Sequence, residues 1–531
     1  MIAQDLPVAP AEENSQEPQE AKNKNDKTEA LRMWSAISFA LIILGLGIPL
    51  WWKTTEVYRV TLPYTEIDEL QHLGPRMVVN VSVYTEYPSR TNMRIVELKK
   101  AFAPSRLFDI NLSPAKLDIG EGTVVELEKF EFNRPSKPGS FKIVETNKLQ
   151  SGSVVLGNYR SLYFHPEVKT ELIVEVVKKW VLREGYLEDM VASLEQPGSR
   201  SGQERRLKSE PCFDIVFTTV NPEPDRVKMK FDTETSIKTV IDPLLDQLKP
   251  VADLKVKSQW LYFVDMGQDP KRSPNNNNFI IPSDRIPHII SPLEKKLGSG
   301  VSSCPCLHFV LYIPRCSEAP LYFTSPEGDL QTAVVSPRWG GIQIHNPSTE
   351  NCVNQTAMTP DMGEVAKVFV SHLRYLLDLR YQPVASAKLL TLSVAPLRGW
   401  EVDSLYRSRV LEQAISARLT LQSLARLLGE ISNIVINEEV GDAIKTSVIS
   451  ISATFSKLAA GRLEEALGFA RKAYITAEMA FSHPSLLALL YFPDDQKYAV
   501  YIPLFLPVMI PVVLSLKNIW KWLNNKPLGG Q

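Results

Sequence analysis

The chain has 531 residues, of which 44% are hydrophobic and 22% are charged, and its formal net charge is −1. This balance argues against a nucleic-acid-binding protein, because neutralising phosphates requires a clustered excess of Lys and Arg. At about 100–200 residues per domain, the length allows two or three domains with a sizeable buried core.

The chain begins with a polar segment, residues 1–32, whose mixed charge and scarcity of aromatic side chains predict a disordered tail in the cytosol. An uncharged apolar run follows at 33–52, bracketed by Arg32 and Lys53, with tryptophans at both ends. Such a run predicts a transmembrane helix. A signal peptide is the competing interpretation, but its apolar part would be about 7–15 residues long and would end in small residues. We therefore predict an uncleaved anchor.

Residues 53–360 have the alternation of a mixed α/β region. Strands are predicted at "MVVNVSVYTE", "TVVELEKFEF", "FKIVETN" and "SVVLGNYRSLYF", and helices at "MRIVELKKAF" and at 171–194. A loop rich in Gly, Ser and charge at 195–211 leads into a second α/β unit. Its strands are predicted at "CFDIVFTTV", "SQWLYFVDM", "CLHFVLYIP", "PLYFTS" and "TAVVSPRWGGIQIHN", and its first helix at "SIKTVIDPLLDQL".

From 361 to 497 the apolar spacing becomes helical, with stripes that start at Val365, Leu411 and Leu463. The predicted fold class is therefore α+β: a mixed α/β domain followed by a helical region, anchored by a transmembrane helix at each end. The sequence contains no internal repeat, P-loop or dinucleotide-binding fingerprint.

The second predicted span, 498–516, carries Pro503, Pro507 and Pro511 and is followed by a short tail, 517–531. In a soluble helix each proline would cost about 3 kcal/mol or more, whereas in a bilayer neighbouring helices can satisfy the freed carbonyls. Spacing of four places the prolines on one face. We predict that this face contacts another subunit or lipid headgroups; a kinked anchor in plain lipid is the alternative. The opposite face is expected to tolerate substitution; it carries Val508, Val512 and Leu516.

Lys and Arg are more frequent before the first span and after the second than on the inner sides of the two spans. By the positive-inside rule, both termini are cytosolic and residues 53–497 are lumenal. Acidic residues Asp494 and Asp495, with Lys497, are interpreted as a solvated collar at the membrane surface.

Three Asn-X-Ser/Thr sequons, at Asn80, Asn111 and Asn354, lie in the predicted lumenal segment. Asn354 is the first candidate for glycosylation, because it lies in a polar stretch between a strand and a helix. Asn111 is intermediate, and Asn80, within apolar alternation, is the weakest.

Five cysteines, at 212, 304, 306, 316 and 352, are too few for a disulfide scaffold, and their odd number leaves at least one thiol unpaired unless it pairs with another chain. On a strand, Cys304, Cys306 and His308 would share one face, where a zinc site or a thiol–imidazole pair is conceivable. The spacing is poor for zinc, so a core-facing strand is the favoured interpretation. We predict no catalytic residue, no metal site and no cofactor.

In "SPRWGGI" (336–342), proline and two glycines set the backbone of a loop that presents Arg338 and Trp339. These side chains are typical interface anchors. They are equally common in the folded core of a turn, so both interpretations stay open.

Four stretches together resemble the phosphatidylinositol glycan class S family, a component of the GPI transamidase of the endoplasmic reticulum. They are "PLWWKTTEVYRVTLPY", "SPRWGGI", "LGEISNIVI" and "HPSLLALLYFPDDQKYAVYIPLFLP", in order along the chain. The resemblance spans about residues 33–516 and is strongest at the two membrane ends. It implies a two-span topology and a non-catalytic subunit, because a separate caspase-like subunit carries the chemistry.

The resemblance also implies other transamidase subunits, membrane lipid and GPI as partners. "CPCLH" is not among the matching motifs, so no family role passes to it. The alternative from a different functional class is a stand-alone lumenal hydrolase held by two anchors.

Overall fold

The computed structural model describes residues 17–55, 58–102, 104–116, 122–129, 137–195, 207, 210–230, 233–273, 277–298, 302–392, 396–431, 434–486 and 494–525. The chain forms two compact units. The first comprises Met1–Thr61, Leu427–Glu438 and Ser482–Gln531, and the second comprises Leu62–Arg426 and Glu439–Phe481.

Two apolar helical segments dominate the first unit. One consists of α1 (Glu17–Ile42), a π-helical turn (Ile43–Gly47) and α2 (Ile48–Thr55); the other is α15 (Asp494–Asn525). The turn closes with Ile48 N–H donating to Ile43 O, just before Pro49, which has no amide to donate. Ala30–Lys53 and Ala499–Lys521 are long and apolar enough to cross a bilayer. The helix begins at Glu17, inside the segment expected to be disordered, whereas residues 1–16 lie outside the described residues.

The second unit contains a six-stranded sheet in the order β15-β4-β5-β3-β1-β2, in which only the β4–β5 pair is antiparallel. Its strands are β1 (Met77–Thr85), β2 (Phe108–Pro114), β3 (Ser140–Glu145), β4 (Val154–Leu156), β5 (Ser161–Phe164) and β15 (Ala387–Leu389). The accompanying helices are α3 (Tyr64–Glu69), α4 (Pro88–Ala101), α5 (Val124–Leu127), α6 (Thr170–Val176) and α7 (Glu184–Glu195). Because β15 lies beyond residue 360, the region predicted to be mainly helical also contributes an edge strand.

Two local predictions in this part were wrong. "TVVELEKFEF" was expected to be extended, but it begins as α5, because Thr123 and Glu126 form a capping box. The single helix expected at 171–194 is broken: a π-helical turn (Val177–Leu182) ends at Arg183, whose backbone is left-handed. A new helix starts at Glu184.

A five-stranded sheet in the order β13-β14-β10-β6-β7 forms the second α/β layer, with only β13 antiparallel. Its strands are β6 (Cys212–Asn221), β7 (Asp253–Tyr262), β10 (Cys306–Tyr312), β13 (Ala333–Ser336) and β14 (Gly340–Ile344). A small sheet contains β8 (Lys271–Arg272), β9 (Phe279–Pro282), β11 (Leu321–Thr324) and β12 (Leu330–Gln331). The helices of this part are α8 (Thr233–Leu248), α9 (Ile286–Glu294), α10 (Thr349–Val353) and α11 (Met362–Leu376).

Three long helices follow: α12 (Gly399–Glu430), α13 (Glu438–Ala459) and α14 (Leu463–Phe481). Alanines of α14 such as Ala466, Ala470 and Ala473 are completely buried, and Ser447 of α13 donates to the Ala473 carbonyl. Small side chains thus let these helices pack closely. The predicted α+β class, with helices and mixed sheets, is confirmed.

Candidate assembly and modification sites

The two apolar segments of the first unit meet along one face of α15. Trp51 of α2 packs edge-on against Tyr501 and Phe505, with ring centroids 5.9 and 5.0 Å apart. Further along α15, Val512 is completely buried and Ile519 is 9% exposed. These four α15 positions are separated by four or seven residues, so they lie on one helical face. We call this face the seam.

The proline ladder, Pro503, Pro507 and Pro511, lies outside the seam. All three rings are exposed in this chain, and α15 continues as a helix through them. Each proline leaves the carbonyl four residues earlier without its amide partner. With this spacing the affected carbonyls belong to Ala499, Pro503 and Pro507. The ladder is therefore an exposed stripe of rings and under-bonded carbonyls, a surface that needs protein or water beside it in a bilayer.

The face opposite the ladder does not behave uniformly. Val508 is 44% exposed and Leu516 is 40% exposed, but Val512 is completely buried. The expectation that all three positions tolerate substitution is therefore wrong for Val512, which packs in the seam. Helical spacing in the sequence defines the faces of α15, but it does not show which face packs against the N-terminal apolar segment.

A short backbone bridge follows the first apolar helical segment within the same unit. Val60 N–H donates to Ile436 O, and Ile436 N–H donates to Tyr58 O. The Arg59 guanidinium donates to the Leu428 carbonyl at 2.5 Å, and the Tyr58 hydroxyl donates to a Glu438 carboxylate oxygen at 3.3 Å. Residues 58–60, Leu428 and Ile436 belong to two of the stretches that carried the family resemblance, and the bridge joins those two motifs.

The cysteine and histidine cluster does not form a reactive site. Cys304 is bonded to Cys212, and Cys316 is bonded to Cys352, which leaves Cys306 as the cysteine outside a disulfide among the described residues. A disulfide-bonded Cys304 can be neither a zinc thiolate nor a nucleophile. Within the described part of the chain, no group of three metal-ligating side chains occurs.

His308 lies inside the core, as the favoured interpretation of "CPCLH" predicted. Its ring is 2% exposed and packs against the Trp339 ring, with centroids 5.5 Å apart. Burial lowers the pKa of His308 to about 4, and it lowers the pKa of His372 on α11 to about 4 as well. The Nδ1 atoms of both rings are buried and have no hydrogen-bond partner within the described residues. Both rings are therefore neutral packing groups near pH 7.

The "SPRWGG" segment forms the hairpin between β13 and β14, and it separates its two large side chains. Arg338 is exposed on a left-handed backbone (φ 64°), whereas Trp339 is 8% exposed and packs in the core beside Val310 and Ile342. The interface role remains a prediction for Arg338. Trp339 occupies the core, which is the second of the two interpretations.

The two glycines of this hairpin are required by close contacts. A Cβ on Gly340, whose φ is +142°, would lie 1.8 Å from the His308 carbonyl oxygen. A Cβ on Gly341 would lie 2.0 Å from His372 Nδ1. The motif that resembles the family is thus, in large part, a packing motif.

The three sequons differ in their surroundings. Asn354 caps the C-terminus of α10 and is exposed in a loop. Asn80 and Asn111 are direct neighbours in the β1–β2 pair, with Asn111 Nδ2 and Asn80 Oδ1 at 3.5 Å. Asn80 Nδ2 also faces Gly461 so closely that a Cβ there would lie 3.0 Å away. The geometry favours the predicted order, although occupancy of each site stays a prediction.

One feature that sequence reasoning missed is a cleft of about 680 Å³ beside the break at Arg183. Several of its charged groups pair within the lining: Arg183 and Arg380 both contact the Asp378 carboxylate, and Lys178 contacts Glu184. Both Arg183 and Asp378 have left-handed backbones, a conformation that Arg rarely adopts and Asp adopts more often. The cleft is polar, and its four basic side chains each belong to an ion pair, Lys179 with Glu175 outside the lining.

The carboxyl edge of the second sheet is where doubly wound sheets usually bind ligands. Here Arg315 donates to Asp265 at 3.1 Å, Glu223 accepts the Cys316 amide, and the Cys316–Cys352 disulfide ties the loop down. An ion pair, a side-chain hydrogen bond and a disulfide therefore occupy this edge of the sheet.

Comparisons with known proteins agree over nearly the whole chain. The family model described as "Phosphatidylinositol-glycan biosynthesis class S protein" matches residues 38–526. The mouse protein named "GPI-anchor transamidase component PIGS" is 34% identical, covering 92% of this chain and 94% of that protein. Its human counterpart is 32% identical over the same shares. A fission-yeast protein, "GPI transamidase component PIG-S homolog", is 26% identical over 95% of this chain and 87% of its own length.

Proposed function

The chain belongs to the phosphatidylinositol-glycan biosynthesis class S family, and we propose that it is a non-catalytic subunit of the GPI transamidase complex in the endoplasmic reticulum membrane. In that complex it supports attachment of GPI anchors to the C-termini of precursor proteins. The observation that carries the proposal is the 34% identity to a transamidase component, which extends over 92% of the chain.

The non-catalytic role is supported by the chemistry of the candidate groups. Cys304 is held in a disulfide, and the ring of His308 is buried and neutral. A nucleophile needs a base within hydrogen-bond reach and a third group to orient that base. On this basis the chemistry belongs to another subunit, the caspase-like one that the family resemblance implies.

The proposed topology has two spans, a lumenal region from 53 to 497 and cytosolic termini. The excess of Lys and Arg outside both spans supports it, as do two helices of sufficient length and the exposed sequon at Asn354. In sealed microsomes, added protease should trim only the tails, and endoglycosidase should increase the mobility of the full chain. Asn354→Gln should remove most of that shift. A digested 53–497 region would contradict the topology.

Within the membrane, we assign the proline ladder to contact with partner subunits or the headgroup region of membrane lipid, including GPI. The exposed ladder and its under-bonded carbonyls support this assignment. Arg338 is proposed as a second contact point, because it is exposed on a rigid hairpin.

The function is tested by expressing the tagged full chain in cells that lack their own class S protein. We expect restored surface display of GPI-anchored reporters and co-purification of the other transamidase subunits in mild detergent. Cys306→Ser should restore display equally. A chain that folds but neither restores display nor co-purifies with transamidase subunits would sink the proposal.

An assay of the purified chain alone distinguishes the non-catalytic subunit from the alternative, a stand-alone hydrolase. It should show no peptidase or transamidase activity. Activity that survives removal of every other subunit would favour the hydrolase.

A further inference from the structure

Asn80 and Asn111 are two sequon asparagines that the fold brings side by side. β1 and β2 run parallel with Asn80 opposite Asn111, so both side chains lie on the same face of the six-stranded sheet. Asn111 Nδ2 donates to Asn80 Oδ1 at 3.5 Å. An N-linked glycan is bulky and is attached at Nδ2. Neighbouring strands are only about 4.7–4.9 Å apart, so two glycans on this pair would compete for the same space.

Asn80 is enclosed on three sides. β1 is an interior strand, with β2 on one side and β3 on the other, where Ser140 is the partner of Asn80. The turn between α13 and α14 lies over this face. A Cβ on Gly461 in that turn would lie 3.0 Å from Asn80 Nδ2 and 3.5 Å from the Val78 carbonyl oxygen. Although the Asn80 side chain is partly open to solvent, its attachment atom therefore faces the turn.

The α13–α14 turn is held firmly in place. Gly461 has a left-handed backbone (φ 68°), and its N–H donates to the Leu458 carbonyl at 3.0 Å. Leu458 and Leu463, on either side of the turn, are 2% and 5% exposed. The cavity between the turn and β1 has a volume of about 10 Å³, enough for about one water molecule. A sugar on Asn80 Nδ2 would have to displace the turn and uncover both leucines.

The surroundings of Asn111 are more open. β2 is an edge strand, and among the described residues no strand pairs with its outer side. Asn111 is exposed, and its Nδ2 carries two hydrogens, of which one is enough for the contact with Asn80. A sugar can replace the other hydrogen while that contact is kept. The folded chain therefore accommodates a glycan on Asn111 but not on Asn80.

The order of synthesis gives this difference a consequence. Asn80 is made long before the α13–α14 turn, and at about 5–20 residues per second the interval is on the order of tens of seconds. During that time the turn that covers Asn80 does not yet exist. A glycan added in this interval stays on the chain, because its bond is covalent, and it blocks the later docking of the turn.

We propose that the Asn80–Asn111 pair carries at most one glycan, on Asn111, and that a glycan on Asn80 is incompatible with docking of the α13–α14 turn. Chains modified at Asn80 then fail to complete the second unit and do not assemble. Unmodified Asn80 forms part of the surface on which the turn docks. This inference rests on the proposed function and topology, in which residues 53–497 are lumenal, since N-glycans are added on that side of the membrane.

The test uses full-length chains that keep one sequon of the pair, expressed in cells that contain the other transamidase subunits. Asn354→Gln is combined with either Asn80→Gln or Asn111→Gln. The chain that co-purifies with those subunits is then compared with and without endoglycosidase. Part of the chain that keeps Asn111 should gain mobility. The assembled chain that keeps Asn80 should not change, and any glycosylated copies of it should remain unassembled.

A pair of bulky substitutions tests the same crowding without a glycan. Asn80→Trp places a large ring against the turn at Gly461, so it should lower the melting temperature of the purified full chain by several degrees or prevent folding. Asn111→Trp is the matched control, because the same ring on the edge strand has open space beside it. It should melt close to wild type. Equal melting temperatures for the two variants would contradict the steric argument.

Other results also overturn the inference. A glycan on Asn80 in assembled chains, or two glycans on a chain that carries only Asn354→Gln, would show that the glycan and the docked turn coexist. A chain that keeps only Asn111 and shows no shift in any fraction would remove the glycan from Asn111.

Failure of the proposed function gives different results. If the wild type with all three sequons shows no endoglycosidase shift, the lumenal topology fails. If it co-purifies with no transamidase subunit, the proposed function fails. The two tryptophan variants test the crowding at Asn80 in either case.

Discussion

The two units differ in how completely each buries its apolar and charged side chains. In the first unit, large apolar side chains remain exposed on the two long helices, for example Trp34 at 70% and Leu504 at 67%. In the second unit even charged groups are buried: Glu401 is 0% exposed and Asp403 is 1% exposed. The first unit therefore leaves apolar helical surface uncovered within this chain, whereas the second buries even its charged groups.

The buried charges of the second unit show what that completeness requires. Glu401 accepts hydrogen bonds from Arg374, Tyr381 and Arg398, and Asp403 accepts from Arg160 at 2.8 Å. Burial raises the pKa of the Glu401 carboxyl, but the two guanidiniums outweigh it and hold the pKa below its usual range. A buried charge with a full set of partners is stable, and the same charge without them is costly.

The largest expected effect comes from breaking this network. Glu401→Ala should lower the free energy of unfolding by about 3–5 kcal/mol, because it strands two guanidiniums in the core. Denaturant unfolding of the purified full chain measures the loss. Lys367→Ala, which removes only an exposed ion pair with Glu364, should leave the unfolding midpoint almost unchanged, because water screens that pair. Equal costs for the two variants would contradict the argument that the buried charge network of the second unit is essential to its core.

The β13–β14 hairpin tests how tightly the second unit is packed. Gly341→Ala should destabilise it by about 1–3 kcal/mol, because the added Cβ collides with the buried His372 ring. Gly74→Ala is the matched control, since no atom lies within 4 Å of its added Cβ. Thermal unfolding of the two variants is compared with wild type. If Gly341→Ala unfolds at the same temperature as wild type, the hairpin can shift to make room for the added Cβ, contrary to the prediction.

Acidification probes the same core through His308 and His372. Burial lowers both pKa values to about 4 from an ordinary 6.5, so the unfolded chain binds more protons between these values. The stability that these two neutral rings contribute is fully present above pH 6.5 and is lost as the pH falls toward 4. At pH 5.5 each ring should lower the free energy of unfolding by about 1 kcal/mol relative to pH 7.5. Unfolding at pH 7.5 and 5.5 should show a smaller difference in His372→Gln than in wild type.

The proline ladder tests the exposed helical surface of the first unit. Its substitution should have the smallest effect on unfolding of the second unit. Replacing Pro503, Pro507 and Pro511 by leucine should preserve insertion and the stability of the second unit but weaken co-purification of partner subunits. The control carries leucine at Val508 and Val513, which are 44% and 58% exposed. Val512 is unsuitable as a control because it is buried in the seam. Assembly equal to the control would reduce the ladder to a tolerated irregularity.

The amino-acid sequence alone determined the class of the protein and its periodic parts. Uninterrupted apolar runs, period-two alternation around β1 and the helical stripes of α11 to α14 each depend on neighbours within a few residues. The α/β plan, the two apolar ends and the core placement of His308 followed from such local patterns. The family motifs could be matched for the same reason, since they are contiguous stretches of chain.

Only the tertiary structure decided which distant residues meet. The seam that buries Val512, the contact between Gly341 and His372, the disulfide partners and the left-handed backbone at Arg183 depend on segments far apart in the chain. The same holds for the Asn80–Asn111 pair, which the parallel register of β1 and β2 brings together. Local pattern specifies what a segment can bury, whereas burial itself depends on what the folded chain brings to its side, and that information is shared among all the segments that meet there.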